Sequence, residues 1–190
     1  MASEAQRRTQ LVEATVHEIG EARSLNVTVS KIAKRAGVSS GLAFHYFGDK
    51  DRLFLAAMRY ILTIYGAEVR GALAVAQTPR DRVEALIRTS FSSTNFRDDV
   101  ISAWLNFYVL AQSSDEARRL LSVYHRRLHS NLTHDLRPQV GDRATAVAER
   151  IGGLIDGLYL RSAIIPQALH GTAAMDHVLA TLDIEIGQAQ

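Results

Sequence analysis

The sequence predicts an all-α protein of about nine helices. Apolar residues recur at helical spacing along every long stretch, with no sustained alternation of the kind a half-buried strand requires. Helix-start signals recur at Thr78-Pro79-Arg80-Asp81 and Ser113-Ser114-Asp115-Glu116, where a capping hydroxyl precedes acidic residues in the first turn. The 190 residues hold only 3 Pro, and neither repeats nor low-complexity segments interrupt the pattern.

Taken in order, Leu11, Ala14, Thr15, Glu18 and Ile19 mark one face of a first amphipathic helix over 4–22. Short helices follow at about 29–36 and 39–46, then a long one from Asp49 to about Ala76. Pro79 opens the span 79–112, which breaks once near Asn95–Asp98. Ser113 and Ser114 introduce a helix to about Leu136, ended by Pro138 and Gly141. Asp142 can cap the next helix, which runs to Ile165 and is stopped by Pro166. A final helix covers about Thr172–Ile186. The change from short helices to long ones near residue 50 divides the chain into 1–50 and 51–190. No Gly/Ser or Pro linker separates them, so the helix from Asp49 belongs to both.

Composition narrows the function. Without cysteine there is no disulfide scaffold, thiol nucleophile or Cys-ligated metal. The first 22 residues lack the apolar core of a signal peptide. LFLAAMRYILTIYG carries Arg59 and is too short to span a bilayer. A soluble cytoplasmic protein with no membrane partner is expected. Net charge is only +2, but residues 1–59 hold nine basic against six acidic side chains, a localised basic surface suited to phosphate. His125 and His129 stand at i, i+4, yet Arg126 and Arg127 lie between them and no third ligand is near, so no metal is expected. No catalytic or dinucleotide motif is present. The expectation is a protein that is not an enzyme and needs no cofactor.

The segment Thr28 to Lys50 carries the most information. Val29, Ile32, Ala33 and Ala36 give a short helix one apolar face, and Gly37 supplies a tight turn. Val38 plugs the corner and Ser39 can cap the next helix. This is helix-turn-helix logic over about 28–47, in which the second helix enters the major groove. Gly37-Val38-Ser39, then Phe44-His45-Tyr46-Phe47, Lys50 and Leu53 resemble the signature of the TetR family of bacterial repressors, over about residues 8–60. The resemblance implies an N-terminal three-helix DNA-binding module and a C-terminal helical domain for ligand binding and dimerisation. Ala43 departs from the Leu usual in the family, and Phe44 from the common Tyr. On this reading Ser39, Ser40, Gly41, Leu42, Phe44 and His45 face DNA. Ser40 and His45 can hydrogen-bond base edges, while Leu42 or Phe44 packs on a thymine methyl. Tyr46 and Lys50 resemble phosphate contacts, and Thr28 can bind a phosphate at a helix N-terminus.

Further on, Ala103-Trp104-Leu105-Asn106-Phe107-Tyr108, Arg126–Leu132 and Ile155–Arg161 resemble the choline-responsive BetI branch of the same family. That implies a repressor of genes converting choline to glycine betaine, binding a palindromic operator as a homodimer and released by choline or another quaternary ammonium compound. The residue types agree. Trp104, Phe107 and Tyr108 share one helix face, as do Asp156 and Tyr159. A quaternary ammonium offers no N–H, so ring faces and a carboxylate must select it, each cation–π contact contributing about 0.5–2 kcal/mol. The competing reading makes the aromatic stripe core and pairs Asp156 with Arg161 or Arg150. Residues 147–164 are apolar nearly all round and include Gly152, Gly153 and Gly157. With Met175, Val178, Leu179, Leu182 and Ile186 they suit a two-fold four-helix bundle. Two other functions fit the same residues: a regulator of an efflux pump sensing other cations, and a helical ligand-binding protein that does not bind DNA.

Overall fold

The computed structural model describes residues 3–165 and 170–188. Among these are nine α-helices, one 3-10 turn and no strand. The helices are α1 (Glu4–Ala22), α2 (Val29–Arg35), α3 (Ser40–Phe47), α4 (Lys50–Val75), α5 (Pro79–Ser90), α6 (Asp98–Ser113), α7 (Asp115–Val140), α8 (Ala144–Ile164) and α9 (Gly171–Gly187). They form two compact units, Met1–Thr63 with Asp98–Leu121, and Ile64–Arg97 with Ser122–Gln190.

The first unit is organised by α1 against α6 and by α2 and α3 packed in succession. Ser3 and Gln6 form a reciprocal capping box at the start of α1. Leu11, Ile19, Ile32, Leu53, Met58 and Phe107 are fully buried in this unit. At Gly20 the backbones of α1 and α6 approach so closely that a Cβ would lie 2.5 Å from Asp99 Cα. His17 Nδ1 meets the Asp99 carboxylate at 2.7 Å beside this crossing. Glu18 is the unit's buried ion. Burial pushes its carboxyl up, but hydrogen bonds from Lys31 and Arg35 outweigh that and hold it below the ordinary glutamate value. The clamp fixes α2, and through it the turn into α3, on α1.

In the second unit, Leu86, Ile87, Leu132, Leu136, Ile151 and Ile155 form the centre of a core joining parts of α4, α5, α7, α8 and α9. Thr78 and Asp81 cap α5 reciprocally, with Pro79 at its first position. Arg82 holds the buried Asp135 at 2.8 Å, and Arg150 grips Glu185 through two hydrogen bonds.

Three expected boundaries are corrected. α7 passes through Pro138 to Val140, since proline in the last turn forfeits a single bond to the carbonyl of exposed His134; Gly141, at φ +59°, ends the helix. Asp142 caps nothing: it lies in the 3-10 turn Gly141–Arg143, and α8 begins at Ala144 without a side-chain cap. The break between α5 and α6 is wider than expected, covering 91–97. Pro166, expected to stop α8, lies outside the described residues, and α8 ends at Ile164. Gly153, Leu160 and Ile164 are exposed on one stripe with half-buried Gly157, and Ile184 is exposed on α9.

Candidate nucleic-acid interface and effector residues

Thr28 caps α2 by accepting a hydrogen bond from the Lys31 N–H at 3.2 Å. Gly37, at φ +67°, then redirects the chain, and the Val38 N–H returns to the Ala33 carbonyl at 3.0 Å. Only glycine adopts that left-handed conformation without strain. Ser39 caps α3 by accepting from the Leu42 N–H at 3.2 Å, so its lone pair is engaged locally while its proton remains available to donate. Ala43 is buried against the module, which turns Gly41, Phe44 and His45 outward and leaves Ser40 and Leu42 half-buried. Phe44 is 48% exposed, which places it off the core. A Cβ at Gly41 would meet only Ser39 Oγ, at 3.9 Å, so this surface is open to close approach.

At the other end of α3, Arg8 lies 4.9 Å over the Tyr46 ring and 5.7 Å from that of Phe47, and donates to the Tyr46 carbonyl at 3.0 Å. Phe47 is therefore half-buried beneath a guanidinium rather than sunk in the core. Lys50 sits 5.2 Å above Phe54, which holds its ammonium at the start of α4. One unit thus brings Thr28, Ser39, Ser40, Gly41, Leu42, Phe44, His45 and Tyr46 onto a single helix-turn-helix, with Lys50 following at the start of α4.

The expected effector residues divide between the units. On α6, in the first, Trp104 is buried with its ring 6.1 Å from that of half-buried Tyr108, and Phe107 is wholly enclosed. On α8, in the second, Asp156 and Tyr159 are half-buried. Among the contacts of Asp156 is His125, whose Nε2 lies 3.5 Å from Asp156 Oδ2, while Arg150 is taken by Glu185. Tyr159 donates to the Asn95 carbonyl at 3.3 Å and to that of Ser90, while its ring stacks edge-on to Phe96 at 4.9 Å. Tyr65 and Tyr124 meet in a T-shaped pair at 5.5 Å, and the Tyr65 hydroxyl is 3.1 Å from Ser90 Oγ. Burial pushes the Tyr65 phenol up, and the negative charge of Asp156 adds to the shift against hydrogen bonds with Ser90 and Tyr124.

Residues 11–57 match the model of bacterial regulatory proteins of the tetR family, and residues 79–187 that of the C-terminal part of BetI-type transcriptional repressors. The chain belongs to the TetR family. Its family is one of transcriptional regulators rather than enzymes. This TetR-family chain is 46% identical over 170 residues to the HTH-type transcriptional regulator BetI of Brucella anthropi, covering 89% of this chain and 88% of that one. With the protein of the same description from Rhizobium meliloti it shares 44% over 181 residues, 93% of this chain and 89% of the other. Among solved structures, a transcriptional regulator of Pseudomonas aeruginosa superposes with a TM-score of 0.83 at 26% identity, over 99% of this chain and 94% of that one. One from Saccharomonospora viridis, in complex with choline, superposes at 0.84 with 19% identity, over 95% and 97%. The latter likeness is one of fold.

Sequence reasoning about this TetR-family chain missed Arg8, which clamps the end of α3 from 38 residues away. It also missed Tyr65, Tyr124 and His125 around Asp156. Their one sequence signal is that Tyr124 and His125 immediately precede the Arg126–Leu132 stretch, on the same helix.

Proposed function

We propose that this chain is a cytoplasmic, homodimeric repressor that binds a palindromic operator and is released by choline or a related quaternary ammonium compound, controlling genes that convert choline to glycine betaine. The observation that carries the reading is a BetI-type match over residues 79–187 in a chain whose α3 turns Gly41, Phe44 and His45 outward. Residues 1–50 bind DNA, and residues 51–190 bind the effector and dimerise. Ser40 and His45 read bases, Tyr46, Lys50 and Thr28 hold phosphates, and Ser39, Gly41, Leu42 and Phe44 complete the contact surface. Lys50→Ala weakens binding to operator and random DNA alike. His45→Ala instead changes the preferred bases, with a discrimination loss of about 1–3 kcal/mol. Gel shifts on both DNAs check this, and equal effects of the two variants would refute the division of roles.

Exposed Gly153, Leu160 and Ile164 on α8, with Ile184 on α9, form the surface that a second copy covers. A Cβ at Gly153 would meet nothing within 4 Å, so a side chain there obstructs docking rather than folding. Gly153→Glu is expected to sediment as a folded monomer with little operator affinity; a dimer, or a monomer binding at full strength, contradicts the interface.

For the effector, Trp104, Tyr108 and Tyr159 supply aromatic surface and Asp156 the negative charge, while Phe107, wholly enclosed, backs the ring face from the core. α4 is one uninterrupted helix from Lys50 to Val75, beginning at the end of the DNA-binding module. A ligand that favours a different setting of this helix separates the two recognition helices from successive major grooves, about 34–36 Å apart. DNA must then weaken ligand binding by the same factor. Trp104→Ala and Asp156→Asn are expected to keep operator binding and lose the choline response, with no binding heat from choline in either. A parent protein that ignores choline but binds bulky aromatic cations supports the efflux-pump reading instead.

A further inference from the structure

α3 is only eight residues long, too short to hold its shape unaided, and its last turn leaves backbone carbonyls without an intrahelical donor. α1 supplies one. Arg8 donates from Nη1 to the Tyr46 carbonyl at 3.0 Å, and its guanidinium carbon lies 4.9 Å over the Tyr46 ring and 5.7 Å from that of Phe47. A cation suits the negative end of a helix dipole as well as a ring face. One turn earlier on α1, Glu4 Oε1 accepts a hydrogen bond from Arg8 Nε at 3.0 Å. Stack, carbonyl bond and ion pair together fix the guanidinium, and the His45 imidazole stands 5.6 Å from the tyrosine ring. Tyr46 is thus held at its ring and at its backbone, while its hydroxyl makes no hydrogen bond among the described residues. A held ring with a free hydroxyl binds a phosphate at little cost in side-chain ordering.

We propose that Arg8 is a positioning residue for operator binding: it sets the Tyr46 ring so that the phenol meets a DNA phosphate, and it neutralises no phosphate itself. This rests on the phosphate role given to Tyr46 above and adds the residue that prepares it. Two other roles for a guanidinium here carry different signatures. One that bound DNA directly would release a counterion, so its loss would flatten the salt dependence. Arg8 is already engaged by the Glu4 carboxylate, the Tyr46 carbonyl and two rings, so its loss leaves that slope alone. One that merely braced the fold would weaken the module to the same degree whether or not the Tyr46 hydroxyl were present.

The test is a double-mutant cycle read by operator binding of the intact protein. Arg8→Ala is expected to weaken binding by about threefold to tenfold per module, the cost of ordering one freed side chain, with an unchanged slope of log K against log salt. Tyr46→Phe keeps a ring beneath the guanidinium and removes only the hydroxyl; it should weaken binding as well. In that background Arg8→Ala should cost nothing more, since the group it positions is gone. Arg8→Lys keeps a cation within reach of the carbonyl but not the planar group over the ring. It should show a smaller loss that also vanishes with Tyr46→Phe, and it carries the cycle if Arg8→Ala does not fold. Equal losses in both backgrounds, or a slope flattened by about one unit per module, overturn the positioning role while the Tyr46 contact stands. If Tyr46→Phe binds operator as the parent does, the phosphate role of Tyr46 fails, and the positioning role with it.

Discussion

Gly20→Ala is expected to destabilise the protein by about 1–3 kcal/mol and to lower its operator affinity. In an exposed helix interior the same exchange would stabilise by up to about 1 kcal/mol, because alanine restricts the unfolded chain and favours helix. At Gly20 that gain is overridden. The added Cβ would lie 2.5 Å from Asp99 Cα and Cβ and 2.7 Å from its carbonyl oxygen, and two of these atoms are backbone that no rotamer change can move aside. α1 and α6 must separate, lengthening the 2.7 Å contact between His17 and Asp99 and loosening the helix on which Glu18 holds α2. Gly71→Ala serves as the control: Gly71 is exposed on α4, a methyl added there would meet nothing within 4 Å, and the variant should gain stability. Urea denaturation of both variants checks the pair. Equal stabilities would mean that the α1–α6 approach is not a constraint.

Phe107→Ala is expected to cost about 3–5 kcal/mol, more than any substitution on the outward face of α3. Phe107 is wholly enclosed and is among the largest fully buried side chains of the protein. Its removal leaves a void that the neighbouring side chains cannot fill without shifting. Its neighbours in sequence behave differently. Tyr108 is half-buried, so Tyr108→Ala should cost far less in folding. A Phe107→Ala protein that unfolds at the parent's urea concentration would show that the ring lies against a yielding cavity wall instead of packed core.

The element order was readable because it depends on local signals. The periodic apolar residues mark α1, and Thr78, Pro79 and Asp81 mark the start of α5, though not its end. The helix-turn-helix was readable for the same reason, since Gly37 and Ser39 each act within four positions of themselves. Contacts that depend on distant parts of the chain were not. The competing reading looks for a partner of Asp156 among arginines five or six positions away, whereas the His125 imidazole beside it comes from thirty-one positions earlier. Arg8 over Tyr46, and Gly20 against Asp99, likewise leave no local trace. Pro138 misled because proline's penalty is a lost hydrogen bond, which is small in a last turn whose carbonyls face water.

The ion pairs of the first unit also fix how the protein should respond to electrolyte. Of the nine basic residues before position 60, five already hold carboxylates: Arg8 with Glu4, Lys31 and Arg35 with Glu18, Arg52 with Asp49, and Arg59 with Glu116. Arg7, Arg23, Lys34 and Lys50 remain, among the described residues, to displace condensed counterions from a duplex. At about 0.9 per phosphate neutralised, one phosphate for each would set a ceiling of about 3.6 on the slope of log K against log salt for each module, or about 7 for a two-fold pair. The module therefore behaves as a far weaker polycation than its composition suggests, and it surrenders less affinity to rising ionic strength than nine unpaired charges would.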